Sequence, residues 1–465
     1  MKISKKNVIT ASLAVTLAAA VVLGGGTYAY LQSSTGDTVN TFNTNKVMVE
    51  LQETTGNTYN IVPGTSQDKD PTVTVENTVD AYVYVEVTDN TQELVDYEIA
   101  EGWTPLDGYE RVYYRTVAAG ASEKSFSVLA GDKVYYSAEL ENSDMLDENG
   151  ALKTGIELTF KAYAIQKAPF NDPADAWKQV PAEVATQEEL AAAFAAGKNV
   201  ALTAPIAIND VLSIPEGESV VLDMSGQTIT SAMVKAEGAD GTDRPIVNYG
   251  TLIVTGNGTI DTTAANGFGA IRNYGDLTIE NGTFKGDDQA NGSAIDTQSG
   301  ATTVINGGTY YATAAIMNRA GGTIIINDGD FEGVSNDNEG YGNGIWAYAV
   351  QNYGDMTING GTVHGSMNGG IASNQGTVTI NDGYFSVEAP PSGRTQSFYV
   401  LVTNTETNGQ FIINGGTFEQ KNGTDRLLGG FNGMPSWDAK QDLEANGYTV
   451  NGGKFILNGT EVTIG

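Results

Sequence analysis

Between Val47 and Gln166 apolar and polar residues alternate in short runs. In Ala81-Tyr82-Val83-Tyr84-Val85-Glu86-Val87 the odd positions are small and aliphatic while the even ones carry tyrosines and Glu86, and Ile156, Leu158, Phe160, Ala162 and Ala164 repeat the pattern. A period of two sends successive side chains to opposite faces, so these are half-buried strands. The pattern predicts strands over 47–53, 72–76, 81–88, 110–117, 124–129, 133–140 and 155–166. Seven short strands in about 120 residues fit an antiparallel β-sandwich, jelly-roll or immunoglobulin-like.

The pattern changes after Gln166. Asp172 before Pro173 reads as an N-cap with proline at the first helical position, and Thr186 with Glu189 makes a capping box that opens an alanine-rich helix ended by Gly197. That helix is placed to cover the first exposed rung of the next domain.

From Val200 onward the chain is built as a repeat. Short runs of the form Thr-x-Ile-Asn-Gly-Gly-Thr-Phe recur, with an anchoring glycine at Gly258, Gly282, Gly308, Gly329, Gly361, Gly383, Gly416 and Gly453, at intervals of 24, 26, 21, 32, 22, 33 and 37. A minimal coil of 21 to 26 residues holds three short strands with turns, the geometry of a right-handed parallel β-helix, and the leucine frame of a leucine-rich repeat is absent. In the copy around Asn281-Gly282, Ile279 and Phe284 are expected to point inward and the glycine to take dihedrals closed to other residues. Stacking then aligns Asn281, Asn306, Asn327, Asn359, Asn381 and Asn414 as an amide ladder. The predicted organisation is all-β: leader 1–29, sandwich 30–168, helical linker and cap 169–198, β-helix 199–465.

The compartment is read from the first thirty residues. Lys2, Lys5 and Lys6 precede a low-polarity run from Val8 to Leu23, and Thr27-Tyr28-Ala29 offers small residues for cleavage between Ala29 and Tyr30. Two readings stand, a removed signal peptide or a retained membrane anchor, because the run is long for the first and short for the second. No second run approaches a spanning length, so after leader removal no transmembrane segment is expected. The chain has no cysteine, which excludes disulfides and thiolate chemistry and leaves core burial to stabilise an exported protein. Removing the three leader lysines from 24 basic residues leaves 21 against 56 acidic ones, a balance of −35 that argues against nucleic acid as a partner.

The leader end Gly25-Gly26-Thr27-Tyr28-Ala29-Tyr30, Thr41-Phe42 before the first strand, Glu76-Asn77-Thr78 and the closing Phe160-Lys161-Ala162-Tyr163-Ala164-Ile165-Gln166 resemble the TasA/camelysin family of Gram-positive bacteria. The resemblance covers about the first 165 residues. It implies a dedicated signal peptidase, a jelly-roll-like domain, an extracellular place at the cell surface or in a biofilm matrix, and self-assembly in which the freed N-terminal segment, Tyr30 to Glu53, completes a neighbour's sheet. Metalloprotease activity described for camelysins is not carried over, since this half of the chain has no histidine. The repeat half is similar to pectate-lyase-like β-helix proteins, some of which degrade polysaccharides.

Candidate chemistry lies in the long intervals after Gly329, Gly383 and Gly416, which are expected to emerge on one side. They contain Tyr341, Trp346, Tyr348, Phe398, Tyr399, Phe431 and Trp437, an aromatic set suited either to stacking on sugar rings of a glycan or cell-wall partner or to burying small satellite cores. For a hydrolase a carboxyl pair is needed. Asp287, Asp288, Asp328, Asp330 and Asp382 are available, but Asp328 and Asp382 stand at the turn position that Gly360 and Gly415 fill elsewhere, and His364 has no paired aspartates beside it. For a lyase, Arg272, Arg319, Arg394 and Arg426 are scattered bases, the first two at comparable places in their coils. No cofactor is expected. Asp337 and Glu339 crowd oxygens in one loop, read either as a structural calcium site or as a solvated turn, and the spacing is not that of an EF-hand. The expectation is a secreted structural or adhesive protein, with a secreted polysaccharide lyase or glycoside hydrolase as the alternative.

Overall fold

Alternation in the N-terminal half produces antiparallel strands. The computed structural model describes residues 46–56, 58–231, 233, 244–263, 269–286, 292–334, 348–365, 369–388, 399–422, 427–431 and 433–464, in two compact units divided between Gln179 and Val180. The first unit contains β1 (Val47–Gln52), β2 (Ser66–Asp68), β3 (Thr72–Asn77), β4 (Ala81–Asn90), β5 (Asp96–Ile99), β6 (Thr104–Pro105), β7 (Val112–Val117), β8 (Ser125–Ser127), β9 (Leu129–Tyr135) and β10 (Glu157–Gln166). They form three antiparallel sheets in the orders β1-β3-β8, β10-β4-β7-β6 and β2-β9-β5. Val73 and Val75 of β3, Val83, Val85 and Val87 of β4 and Val134 of β9 fill one buried core. The short strands β2, β5 and β6 had no alternating run long enough to announce them.

The stretch read as a linker is divided between the units. Helix α1 (Pro173–Trp177), capped by Asp172, belongs to the first. Its Trp177 is fully buried against Tyr84, Tyr109 and Tyr163, and the Tyr84 hydroxyl donates to the Pro173 carbonyl at 2.7 Å. The even-numbered tyrosines of β4, outward by the alternation, are thus given a cover.

From Val200 to Leu457 the second unit winds through three parallel sheets in rotation. The first sheet has eleven strands, from Ala182–Val184 to Tyr448–Val450; the second has eleven, from Ile206–Ile208, its last added antiparallel; the third has nine, from Leu212–Ile214 to Leu428–Gly430. This is a parallel β-helix. Helix α2 (Gln187–Ala195), with the Thr186/Glu189 capping box, lays Leu190, Ala193 and Phe194 on the core at one end. Inside, the second sheet stacks Phe284, Tyr310 and Phe331 at centroid spacings of 5.2 and 4.7 Å, and Phe385, Phe418 and Phe455 at 5.0 Å, each pair offset by one coil. Such stacks add about 0.5–1.5 kcal/mol each beyond area burial.

Between the first and second sheets the turn is tight. Gly361 has φ +90°, and a Cβ there would lie 2.7 Å from the Gly329 carbonyl oxygen of the preceding coil, so both dihedral and space demand glycine. The amide ladder runs unbroken from Asn306 through Asn327, Asn359, Asn381 and Asn414 to Asn451 at 2.8–2.9 Å. It stops short of Asn281, because Asn306 donates instead to Glu280, while Asn281 donates to Asn257.

The long intervals do not all emerge at one corner. After Gly329 and Gly383 the extra residues lie between a second-sheet strand and the following third-sheet strand, but after Gly416 most lie between the third sheet and the first. There they form α3 (Lys440–Ala445), whose Leu443 packs with Met434 and Trp437 on the core.

Candidate functional site

Third-sheet strands such as Ser293–Thr297, Ala314–Asn318 and Gly369–Ser373 are buried at every position, on both faces. In register along the outward side stand Val247, Arg272, Asp296 and Met317. Asp296 is 0% exposed and gathers three arginines. Arg272 Nη2 donates to Oδ2 at 3.0 Å, Arg319 Nε donates to Oδ1 at 2.9 Å, and Arg244 Nη2 lies 3.6 Å from Oδ2 while donating to Ser293 Oγ at 3.0 Å. Burial pushes the Asp296 carboxyl up, but the Arg319 hydrogen bond and the three guanidinium charges outweigh it and hold the group below the ordinary aspartate range. Burial pulls Arg244 down to about 9 against the opposing pull of Asp296. Arg319, with its side chain 44% exposed, is the cluster's contact with water.

Farther along the same face lies an aromatic cluster. Tyr348, 3% exposed, packs with Ala372 and Val402, and Tyr399 and Phe431 close over them; Phe431 meets Tyr348 edge-on at 6.3 Å. Glycine makes the room. A Cβ on Gly369 would lie 2.7 Å from the Tyr348 ring, and one on Gly429 would lie 2.5 Å from the Tyr399 ring.

Of the aromatic residues singled out from the sequence, Tyr348, Tyr399 and Phe431 are therefore brought together as a satellite core, and Trp437 stands apart with α3. Tyr341, Trp346 and Phe398 lie outside the described residues, as do Asp287, Asp288, Asp337, Glu339, Arg394, Arg426 and the leader with Ala29 and Tyr30. Arg272 and Arg319 meet on one carboxylate. Asp328 and Asp382 accept hydrogen bonds at 2.8 Å from the amides of Gly329 and Gly383, as turn residues do. On the second sheet His364 Nδ1 is 2.9 Å from Ser386 Oγ. Among the described residues no three His, Asp or Glu side chains gather as a metal site, and no helix is long and apolar enough to cross a membrane.

Sequence reasoning missed Arg244, Ser293 and Asp296. The available signal was a lone acid in the apolar run Ala294-Ile295-Asp296, one coil after Arg272. It also missed Tyr249 and Tyr274, 48% and 41% exposed, whose rings stack at 5.0 Å and 12°.

Chemically, Asp296 cannot serve as a base or a calcium ligand while arginines hold both oxygens out of solvent. The cluster ties four successive coils together. No family model matches the chain, and neither the curated proteins nor the solved structures give a match.

Proposed function

We propose that the chain is a secreted cell-surface or biofilm-matrix protein of a Gram-positive bacterium, which works by contact and assembly rather than by catalysis. In this reading the N-terminal unit is a jelly-roll-like sandwich that polymerises, and the right-handed β-helix is a rod displayed to glycans or other surface components. The observation that carries it is β1. This first described strand is an edge strand, paired to β3 alone among the described residues, and its inward Val47, Val49 and Leu51 remain half exposed. A strand held on one side and following a removable leader is suited to exchange between copies. Support also comes from the acidic, cysteine-free composition, which suits export.

The test compares the mature chain with a form lacking Tyr30 to Glu53. Assembly of the first, monomers of the second, and restored assembly on adding the missing segment as a peptide are the expected results; fibres that persist without the segment overturn strand exchange. A glycan array on the same protein, with Tyr399→Ala/Phe431→Ala and Trp346→Ala/Trp437→Ala variants, reads the contact role.

A second reading, a polysaccharide lyase or glycoside hydrolase, rests on Arg319 alone, the one arginine of the cluster that reaches solvent. Release of unsaturated or reducing sugars from an array glycan, abolished by Arg319→Ala, would establish it over the first.

A further inference from the structure

The outward face of the first sheet has no assigned role. Its central column runs in unbroken register from Val221 through Ile253, Thr278, Ile325 and Ile412 to Thr449. All nine of its residues are valine, isoleucine or threonine, and none carries a charge. Strand propensity alone does not account for this. The equivalent column of the second sheet, built on the same coils, includes Asp261, Lys285, Glu332 and Glu419.

We infer that this face is an interface between two copies of the chain, packed side by side through their first sheets. Charge is the first argument. A protein of net charge −32 repels its own copies, and an uncharged strip is where two of them approach at least electrostatic cost. Asp223, Asp276, Glu280 and Asp355 stand only in the flanking columns, at what becomes an acidic rim whose repulsion salt screens. Area is the second. Nine coils and three outward columns make a strip of about 40 by 15 Å, roughly 600 Å2 per copy and about 1,200 Å2 for two, within the range of specific interfaces. Access is the third. The strip is bordered along most of its length by tight turns, the Asn-Gly corner on one side and turns such as Asn248-Tyr249-Gly250 and Asn352-Tyr353-Gly354 on the other. Side chains branched at Cβ are already fixed at χ1 and lose little freedom on contact. The column contains no aromatic ring, which disfavours a sugar as occupant. Strand exchange through Tyr30 to Glu53 plays no part in this interface.

Sedimentation velocity across a concentration series tests it on the mature chain. Three variants accompany it: Ile325→Glu/Thr379→Glu, which adds charge to the strip in alternate coils; Thr417→Glu, which adds it to the outward side of the second sheet; and Ile325→Cys, a single cysteine at the strip's centre in a chain that has none. The expected results are a dimer that tightens as salt screens the like charges, a dissociation constant raised at least about tenfold by the glutamate pair and unchanged by Thr417→Glu, and an oxidised dimer of the cysteine form. Circular dichroism melts check that each variant folds. A chain monomeric at every concentration overturns the inference, as does association indifferent to the glutamate pair. Association that disappears only on removing Tyr30 to Glu53 assigns it to strand exchange and overturns this interface alone. Ice shaping by the monomer, lost with the glutamate pair, gives the strip to ice and overturns it too.

Discussion

Two outward columns of one solenoid share a backbone and differ in everything else. On the third sheet Val247, Arg272, Asp296 and Met317 face outward and are buried; on the first, Ile253, Thr278, Val304 and Ile325 face outward and stay half exposed. The longer intervals after Gly329 and Gly383 fall in sequence between the second sheet and the third, whereas every join from the first sheet to the second, from 203–205 to 451–453, is a turn of three or four residues. A parallel coil therefore specifies the inside through its period, while its outward faces differ from sheet to sheet. Covered faces can hold charge only in compensated clusters; bare faces can be uniform.

The largest break of that contrast is Asp296→Asn. It strips the carboxylate from three arginines, and removing one partner of a buried ion cluster costs about 3–5 kcal/mol. Urea unfolding of the second unit reads the loss. The pH dependence has a definite sign. The folded carboxyl lies below its unfolded value near 3.9, so its stabilisation is complete above about pH 4 and disappears as pH falls through the folded value. Native protein and variant should therefore differ most at neutral pH and converge in acid.

Next in size is Gly369→Ala. The new Cβ would lie 2.5 Å from the Tyr399 carbonyl oxygen and 2.7 Å from the Tyr348 ring, so the satellite core must shift. Overpacking of this kind costs about 1–3 kcal/mol. Tyrosine fluorescence and the urea midpoint should change together; an unchanged midpoint would mean that the cluster is loose.

Smaller again is Asn359→Ala, at the corner shared by the first and second sheets. Asn359 donates to Asn327 and accepts from Asn381, both at 2.8 Å. Loss of two exposed amide bonds should cost about 1 kcal/mol. Asn281→Ala should cost a comparable amount, since Asn281 stands outside the ladder but donates to Asn257 and accepts from the Gly282 amide.

Much of the molecule was legible because short periods carry the information. Anchors such as Gly282 and Gly361 mark one turn, Ile279 and Phe284 are buried as their positions require, and the capping box at Thr186 and Glu189 starts a helix where expected. The ladder was readable except at Asn281, because register sets Glu280, one place earlier, opposite Asn306. What could not be read depends on separations of tens of residues. Arg244, Arg272 and Arg319 lie 52, 24 and 23 residues from Asp296, and insertions of uneven length hide their convergence. Trp437 shares its aromatic character with Tyr348 but not its place, since its interval spends the extra chain on a short helix packed against the core.

The smallest effect isolates the bare face itself. Thr357→Val replaces a hydroxyl by a methyl at the centre of the first sheet's outward column, with Ile325 and Thr379 in register beside it. If that face meets only water in the monomer, the change should move stability by no more than about 0.5 kcal/mol at concentrations below association. Because valine keeps the shape and the β-branch, self-association should survive, in contrast to the glutamate pair. A loss beyond about 2 kcal/mol in the dilute monomer would mean that the threonine hydroxyl is engaged, and that the first sheet is covered in solution as the third one is.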